Sequence, residues 1–325
     1  MKVCTQNCPT ERQIYMKREK CVVIGSGFVG STIAYTLAIK GIFDDLAIID
    51  INQDKAEGDA IDISHGGAFV KPVQISSGDY KLCKDADVII ITAGIAQKQG
   101  ETRLDLLQRN IAVFKNITDN IKANVEHEPI VMVVSNPVDI LTYITWKMLG
   151  FAKNKVFGSG TVLDTSRMKY LLGKTAGIDV RNVHTYVIGE HGDSSVAAWS
   201  STTIAGLSPE QFNLRHPEVN LLGLPHQVKE AAYDVIDKKG ATYYAIALAV
   251  ARICEALTGD ERSVLTVSPI LEGEYGMDGI ALSVPCIVGV NGVEEIIELD
   301  LSDIEMQGLK QSSEIMSKLL REAGL

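Results

Sequence analysis

The stretch Cys21-Val-Val-Ile-Gly25-Ser-Gly27-Phe-Val-Gly30 decides the fold of this chain. Its first residues form a short apolar run closed by glycine, the pattern of a strand buried on both faces. Phe28 to Lys40 reads as a helix, with Gly41 as its stop. Gly25, Gly27 and Gly30 therefore spell G-x-G-x-x-G between a predicted strand and a predicted helix. In that setting the first glycine permits a tight turn, and the second lets backbone approach a pyrophosphate. The third lets the helix pack closely on the strand. The helix start at Phe28 and Val29 then offers free N–H groups and a positive dipole end to phosphate oxygens. Asp50 closes the next strand, Leu46-Ala-Ile-Ile-Asp50, twenty residues after Gly30. A carboxylate so placed binds a ribose 2′-hydroxyl and repels a 2′-phosphate, so the expected cofactor is NAD.

Outward from this motif, Asp87–Thr92 and Ile130–Ser135 are equally apolar, and a predicted helix from Arg103 to Val125 joins them. Buried strands alternating with helices imply an α/β, Rossmann-type, doubly wound parallel sheet. Beyond about residue 160 the texture changes. A helix near Val162–Thr175 is followed by a strand over Val183–Ile188 and a long helical region from His226 to Leu257. Strand-rich segments follow near Ser263–Leu271 and Ile280–Gly289. The expected organisation is an N-terminal arm (1–19), a dinucleotide-binding domain (20–160) and a mixed α+β substrate domain (161–325).

Composition narrows the function classes. Lys and Arg number 31 against 41 acids, a net charge of −10, so nothing here neutralises a row of phosphates and nucleic acid is not an expected partner. No apolar run reaches the roughly eighteen residues of a membrane span, and the polar N-terminus lacks a signal-peptide core. A cytoplasmic location is expected. The six cysteines are scattered. Cys21 and Cys286 lie in strand-like runs where thiols are usually buried, and Cys4 and Cys8 have no nearby His, so no metal site is expected.

Four further features suit hydride transfer at a 2-hydroxy acid. Gly189-Glu-His191-Gly-Asp193 follows a strand and sets a histidine in a glycine-flanked loop. Alcohol–ketone interconversion needs a proton donor and acceptor near neutral pH, and imidazole titrates there. Asp164 and Arg167 are three apart in a predicted helix, hence on one face. The carboxylate can hold an imidazolium, and the guanidinium can clamp a substrate carboxylate with two parallel hydrogen bonds. Alone, such a pair is more often an ordinary surface ion pair. Gly94 to Arg103 is a polar segment with the character of a lid, carrying Arg103 to a developing alkoxide. Finally, Ser135-Asn136-Pro-Val-Asp139 ends a buried strand at the edge where such sheets bind ligands, and Asn136 can orient a carbonyl or the nicotinamide.

Taken together, GSGFVG, TAGIAQKQGETRLDLLQRN, VSNPVDILTY, GSGTVLDTSR, IGEHGDSS and KGATYYAIA resemble the lactate/malate dehydrogenase family from about residue 20 to the C-terminus. The resemblance implies that His191 is the acid/base, Asp164 its partner, Arg167 the carboxylate ligand and Arg103 the loop arginine. It further implies that Asn136 and Thr242 line the substrate pocket and that Ile246 packs on the nicotinamide. Within the family, one loop position separates lactate from malate enzymes, and here it is Gln97; malate enzymes carry Arg there. A closed site with an unpaired Arg would reject the methyl of pyruvate, whereas Gln accepts it and leaves a second carboxylate uncompensated. Pyruvate and L-lactate are the expected substrates.

The resemblance also implies a homotetramer. In bacterial members activated by fructose 1,6-bisphosphate, an Arg and a His mark the effector site, and here those positions hold Lys169 and His184. Lysine keeps the charge but loses the planar fork. Rival readings are a malate or branched 2-hydroxy acid dehydrogenase, a non-catalytic dinucleotide-binding protein, and an NAD-dependent glycosidase, which would require metal ligands.

Overall fold

The computed structural model of the chain describes residues 19–95, 103–221 and 223–324. The first half runs β1 (Lys20–Ile24), α1 (Phe28–Lys40), β2 (Asp45–Ile49), α2 (Gln53–His65), β3 (Gln74–Ser77), β4 (Val88–Ile91), α3 (Arg103–Asn124), β5 (Ile130–Val133), α4 (Val138–Leu149) and β6 (Val156–Gly158). All six strands pair in parallel, in the order β3-β2-β1-β4-β5-β6. This is the doubly wound order, whose direction reverses between β1 and β4 and opens a crevice at their carboxyl ends. β1, β4 and β5 are buried along their whole length, as their unbroken Val/Ile runs require for strands covered on both faces.

The second half continues with α5 (Val162–Ala176), β7 (Val183–His184), β8 (Val187–Ile188), β9 (Val196–Ala197), β10 (Thr203–Ile204), α6 (Pro209–Arg215), α7 (Leu224–Lys239) and α8 (Tyr244–Thr258). Then come β11 (Ser263–Leu265), β12 (Ile270–Glu272), β13 (Asp278–Ala281), β14 (Cys286–Gly289), β15 (Gly292–Ile296) and α9 (Asp303–Glu322). The strands here pair antiparallel in small sheets. α9 opens on a capping box, in which Ser302 accepts from the Glu305 N–H and Glu305 accepts in return.

Two expected elements divide. The strand expected over Val183–Ile188 is two, because Val183–His184 pairs with β10 while Val187–Ile188 pairs with β9. The long helix expected from His226 breaks at Gly240, whose backbone is left-handed (φ +84°), so α7 stops and α8 restarts four residues later. Thr242 lies in that break. α8 then runs along α1. The buried faces of both helices include alanines, Ala34 and Ala38 on one and Ala247 and Ala251 on the other, and Lys40 Nζ meets Glu255 at 2.7 Å. The thiols of Cys21, Cys83, Cys254 and Cys286 are all buried. Among the described residues no helix is long and apolar enough to cross a membrane.

Candidate active site

At the β1–α1 turn each glycine has a distinct reason. Gly25 has φ +105°, and a Cβ on it would come within 2.6 Å of the Ala93 nitrogen. A Cβ on Gly30 would lie 1.8 Å from the Gly25 carbonyl oxygen, so only glycine lets α1 sit this close to the strand end. Gly27 is different: a Cβ there meets nothing within 4 Å, which leaves open space directly before the helix. No side chain caps α1, so its first N–H groups stay available to an anion. Phe28 opens the helix largely exposed, and Val29 is half-buried behind it. Asp50 is fixed beside the turn: Oδ2 accepts the Ser26 N–H at 2.5 Å and Oδ1 accepts the Asn52 N–H at 2.8 Å. The Ser26 hydroxyl donates to Asp59. An open cradle, uncapped N–H groups and a fixed acid at the next strand end fit an NAD pyrophosphate and ribose.

The catalytic candidates converge beyond the strand ends. Asp164 lies in the first turn of α5, and that helix is pinned where it starts. The Thr161 hydroxyl donates to the Val187 carbonyl, and the Thr165 hydroxyl accepts the Val187 N–H at 3.0 Å. Those bonds set the helix against β8, and the chain leaves β8 directly into the loop carrying His191. As a result His191 Nδ1 lies 2.6 Å from Asp164 Oδ2, while Arg167 donates to Asp164 Oδ1 at 2.8 Å. Burial opposes a charge on His191, but the Asp164 carboxylate outweighs it, so the imidazole is held above its usual range. Burial also works to raise Asp164, and His191 with Arg167 outweighs that, holding its carboxyl below the usual range. With Nδ1 committed to the carboxylate, Nε2 is the ring atom left to carry a transferable proton.

The loop itself is held from three sides. The Gly189 N–H donates to the Ser283 carbonyl at 2.8 Å, and the Glu190 N–H to the Ser312 hydroxyl of α9 at 2.7 Å. The His191 N–H donates to Asp139 Oδ2 at 2.8 Å. Asp139 and Ser312 were not among the residues that the sequence singled out for chemistry. Asp139 stands in the quoted Ser135–Asp139 segment, but an acid at a helix start is ordinarily solvated, and its burial has no sequence signature.

Asn136 lies in the turn after β5, exposed, and a cis peptide joins it to Pro137. The Ser135 hydroxyl donates to the Ala93 carbonyl at 2.7 Å, tying the β5 end to the β4 end. Thr242 and Ile246 are half-buried. Tyr243, between them, stacks on Phe28 with ring centroids 5.4 Å apart, which brings the start of α8 to the glycine turn. Arg103 begins α3, but its side chain lies outside the described part, as does Gln97 with the rest of 96–102. Lys169 of α5 is half-buried, and burial lowers its ammonium below the usual range. His184 is exposed on β7.

Two family models cover nearly all of this architecture. Residues 19–158 match the lactate/malate dehydrogenase NAD-binding domain, and residues 161–323 match the alpha/beta C-terminal domain of the same family. The chain is 52% identical over 310 residues to L-lactate dehydrogenase 1 of Clostridium acetobutylicum, covering 94% of this chain and 98% of that one. It is 51% identical over 307 residues to the L-lactate dehydrogenase of Acetivibrio thermocellus, covering 93% and 96%. Among solved structures, a lactate dehydrogenase from a Medee basin deep-sea metagenome library superposes with a TM-score of 0.93 at 39% identity, over 95% of this chain and 100% of that one. The ligand-bound minor L-lactate dehydrogenase of Enterococcus mundtii gives 0.90 at 42%, over 94% and 98%. With a doubly wound dinucleotide sheet, a glycine turn fitted to NAD and relatives matched end to end, the chain belongs to the lactate/malate dehydrogenase family of NAD-dependent oxidoreductases.

Proposed function

We propose that the protein interconverts pyruvate and L-lactate, with the cofactor held on residues 20–160 and most substrate contacts coming from 161–325. The observation that carries this reading is the Arg167–Asp164–His191 constellation, supported by the names of the relatives. Bound NADH supplies the hydride. Arg167 clamps the pyruvate carboxylate with guanidinium donors that Asp164 does not take. His191 holds a proton on Nε2 and gives it to the ketone oxygen as the alcohol forms, and Asp164 keeps the imidazole charged until then. Asn136 and Thr242 border the substrate, Ile246 packs on the nicotinamide, and the segment to Arg103 closes over the site and excludes water.

Gln97 favours pyruvate, since a neutral amide leaves a second substrate carboxylate without a partner. NADH oxidation with pyruvate and with oxaloacetate tests this. Pyruvate should be preferred by orders of magnitude, and Gln97→Arg should invert the preference. An enzyme that already prefers oxaloacetate would overturn the assignment.

A regulatory reading accompanies it. Lys169 is a half-buried cation with no carboxylate partner among the described residues, and a phosphate would restore its charge. Paired with His184 across a subunit contact in a homotetramer, it would bind fructose 1,6-bisphosphate and activate the enzyme. Assays with and without the bisphosphate on the wild type and on His184→Ala decide this; no response in the wild type removes the idea.

A further inference from the structure

We infer that Asp139 is a positioning residue, which fixes the backbone of the His191 loop and adds its charge to the field that keeps the imidazole protonated. The inference rests on His191 being the proton donor.

Asp139 lies in the first turn of α4, in the dinucleotide half, and is only 2% exposed. Its carboxylate gathers donors from three separate segments. Oδ2 takes the His191 N–H at 2.8 Å, and Oδ1 takes the hydroxyls of Ser268 at 2.6 Å and Ser283 at 3.4 Å. Ser268 bridges backbone to Gly158 at the end of β6, and Ser283 bridges to Gly189 at the root of the catalytic loop. One side chain therefore sets the loop against both halves of the molecule.

Accepting a single N–H does not call for a carboxylate; a hydroxyl or an amide oxygen would serve. A buried carboxylate is costly, and a protein keeps one where its charge or its several acceptor sites are used. The two hydroxyls and the start of α4 favour the anion here. The charged groups facing this pair are few. Asp164 and Arg167 approach His191 from α5, Glu190 adjoins it on the loop, and Asp139 approaches from α4. Burial pushes the Asp139 carboxyl up to about 6, with Ser268 and His191 restraining the rise and Glu190 adding to it. Asp139 and the imidazole thus favour each other's charged forms, and the two titrate as a linked pair.

Asp139→Asn keeps an acceptor for the His191 N–H and removes the charge. In the full-length enzyme, pyruvate reduction at pH 7.5 should fall on the order of tenfold in kcat. The alkaline limb of its pH profile should move to lower pH, while pyruvate KM and NADH affinity stay near wild type. An unmoved limb would overturn the inference. Should Asp139→Asn not fold, Ser268→Ala removes the closest neutral donor. It should move the limb the same way by less, and an unmoved limb there counts equally against the idea. His191→Asn is measured alongside. Turnover surviving in that variant would sink the acid/base reading itself, whereas its loss combined with an unmoved limb in Asp139→Asn would sink only the role of Asp139.

Discussion

Asp164→Asn replaces the carboxylate between His191 and Arg167 with an amide of the same shape. The ring nitrogen and the guanidinium contact its two oxygens at 2.6 and 2.8 Å, so the substitution removes charge with little change in packing. Charge centres about 4 Å apart interact by about 4 kcal/mol at an effective dielectric near 20. At about 1.4 kcal/mol per decade, the protonated imidazole becomes up to about a thousandfold rarer at neutral pH. Burial and the remaining Arg167 charge both push in the same direction. In the proposed mechanism pyruvate reduction starts from the charged imidazole and lactate oxidation from the neutral one, so the two directions should part company. Steady-state rates from pH 5 to 9 should show kcat/KM for pyruvate falling by two to three decades at pH 7.5, as that Coulomb estimate implies. Its alkaline limb should move to lower pH, while lactate oxidation falls far less. NADH binding, read by fluorescence, should be unchanged. Equal losses in both directions with an unmoved limb would refute the electrostatic role and leave Asp164 as a purely geometric support.

Three further outcomes follow from the same contacts. Gly30→Ala drives a Cβ into the Gly25 carbonyl, and that backbone cannot move without opening the glycine turn, so NADH affinity by fluorescence titration should fall at least about tenfold. Ser312→Ala leaves the half-buried Glu190 N–H without its hydroxyl acceptor, which should lower stability by about 1 kcal/mol in denaturant unfolding and reduce kcat through a looser His191 loop. For stability against pH, the folded-state Asp139 carboxyl lies above its ordinary value, so the stability it contributes is complete below about pH 4 and is lost as pH rises through about 6. The unfolding free energy of Asp139→Asn should therefore gain on wild type between pH 4 and pH 7, by at most about 3 kcal/mol for two pKa units.

Much of the dinucleotide half was legible in the sequence because its signals are local. Buried parallel strands announce themselves as unbroken Val/Ile runs, and G-x-G-x-x-G needs only its own strand and helix to be interpretable. α1 starts and stops at the residues expected from Phe28 and Gly41. The proximity of His191 to Asp164 was not local. It depends on Thr161 and Thr165 fastening α5 to β8, and two threonines at a helix start look like any others in a sequence. Family resemblance supplied that pairing, and the geometry brings the two side chains together. Asp139, Ser283 and Ser312 escaped notice for a related reason. Each gains its role from burial against a segment over fifty residues away. The break at Gly240 was missed because apolar periodicity resumes on its far side, which made one helix out of two.

The packing of α8 along α1 bears on modularity. The cofactor half looks self-contained when the chain is divided near residue 160, yet a helix some ninety residues past that point covers one of its faces. A fragment ending there would expose the face of α1 that α8 covers, together with the part of β1 at Cys21, which lies beside Cys254 of α8. Such a fragment would tend to aggregate before it could bind a nucleotide. The continuous piece of chain that carries the glycine signature therefore lacks one of the helices that cover it, and chimaeras that exchange cofactor specificity should take α8 along with the first 160 residues.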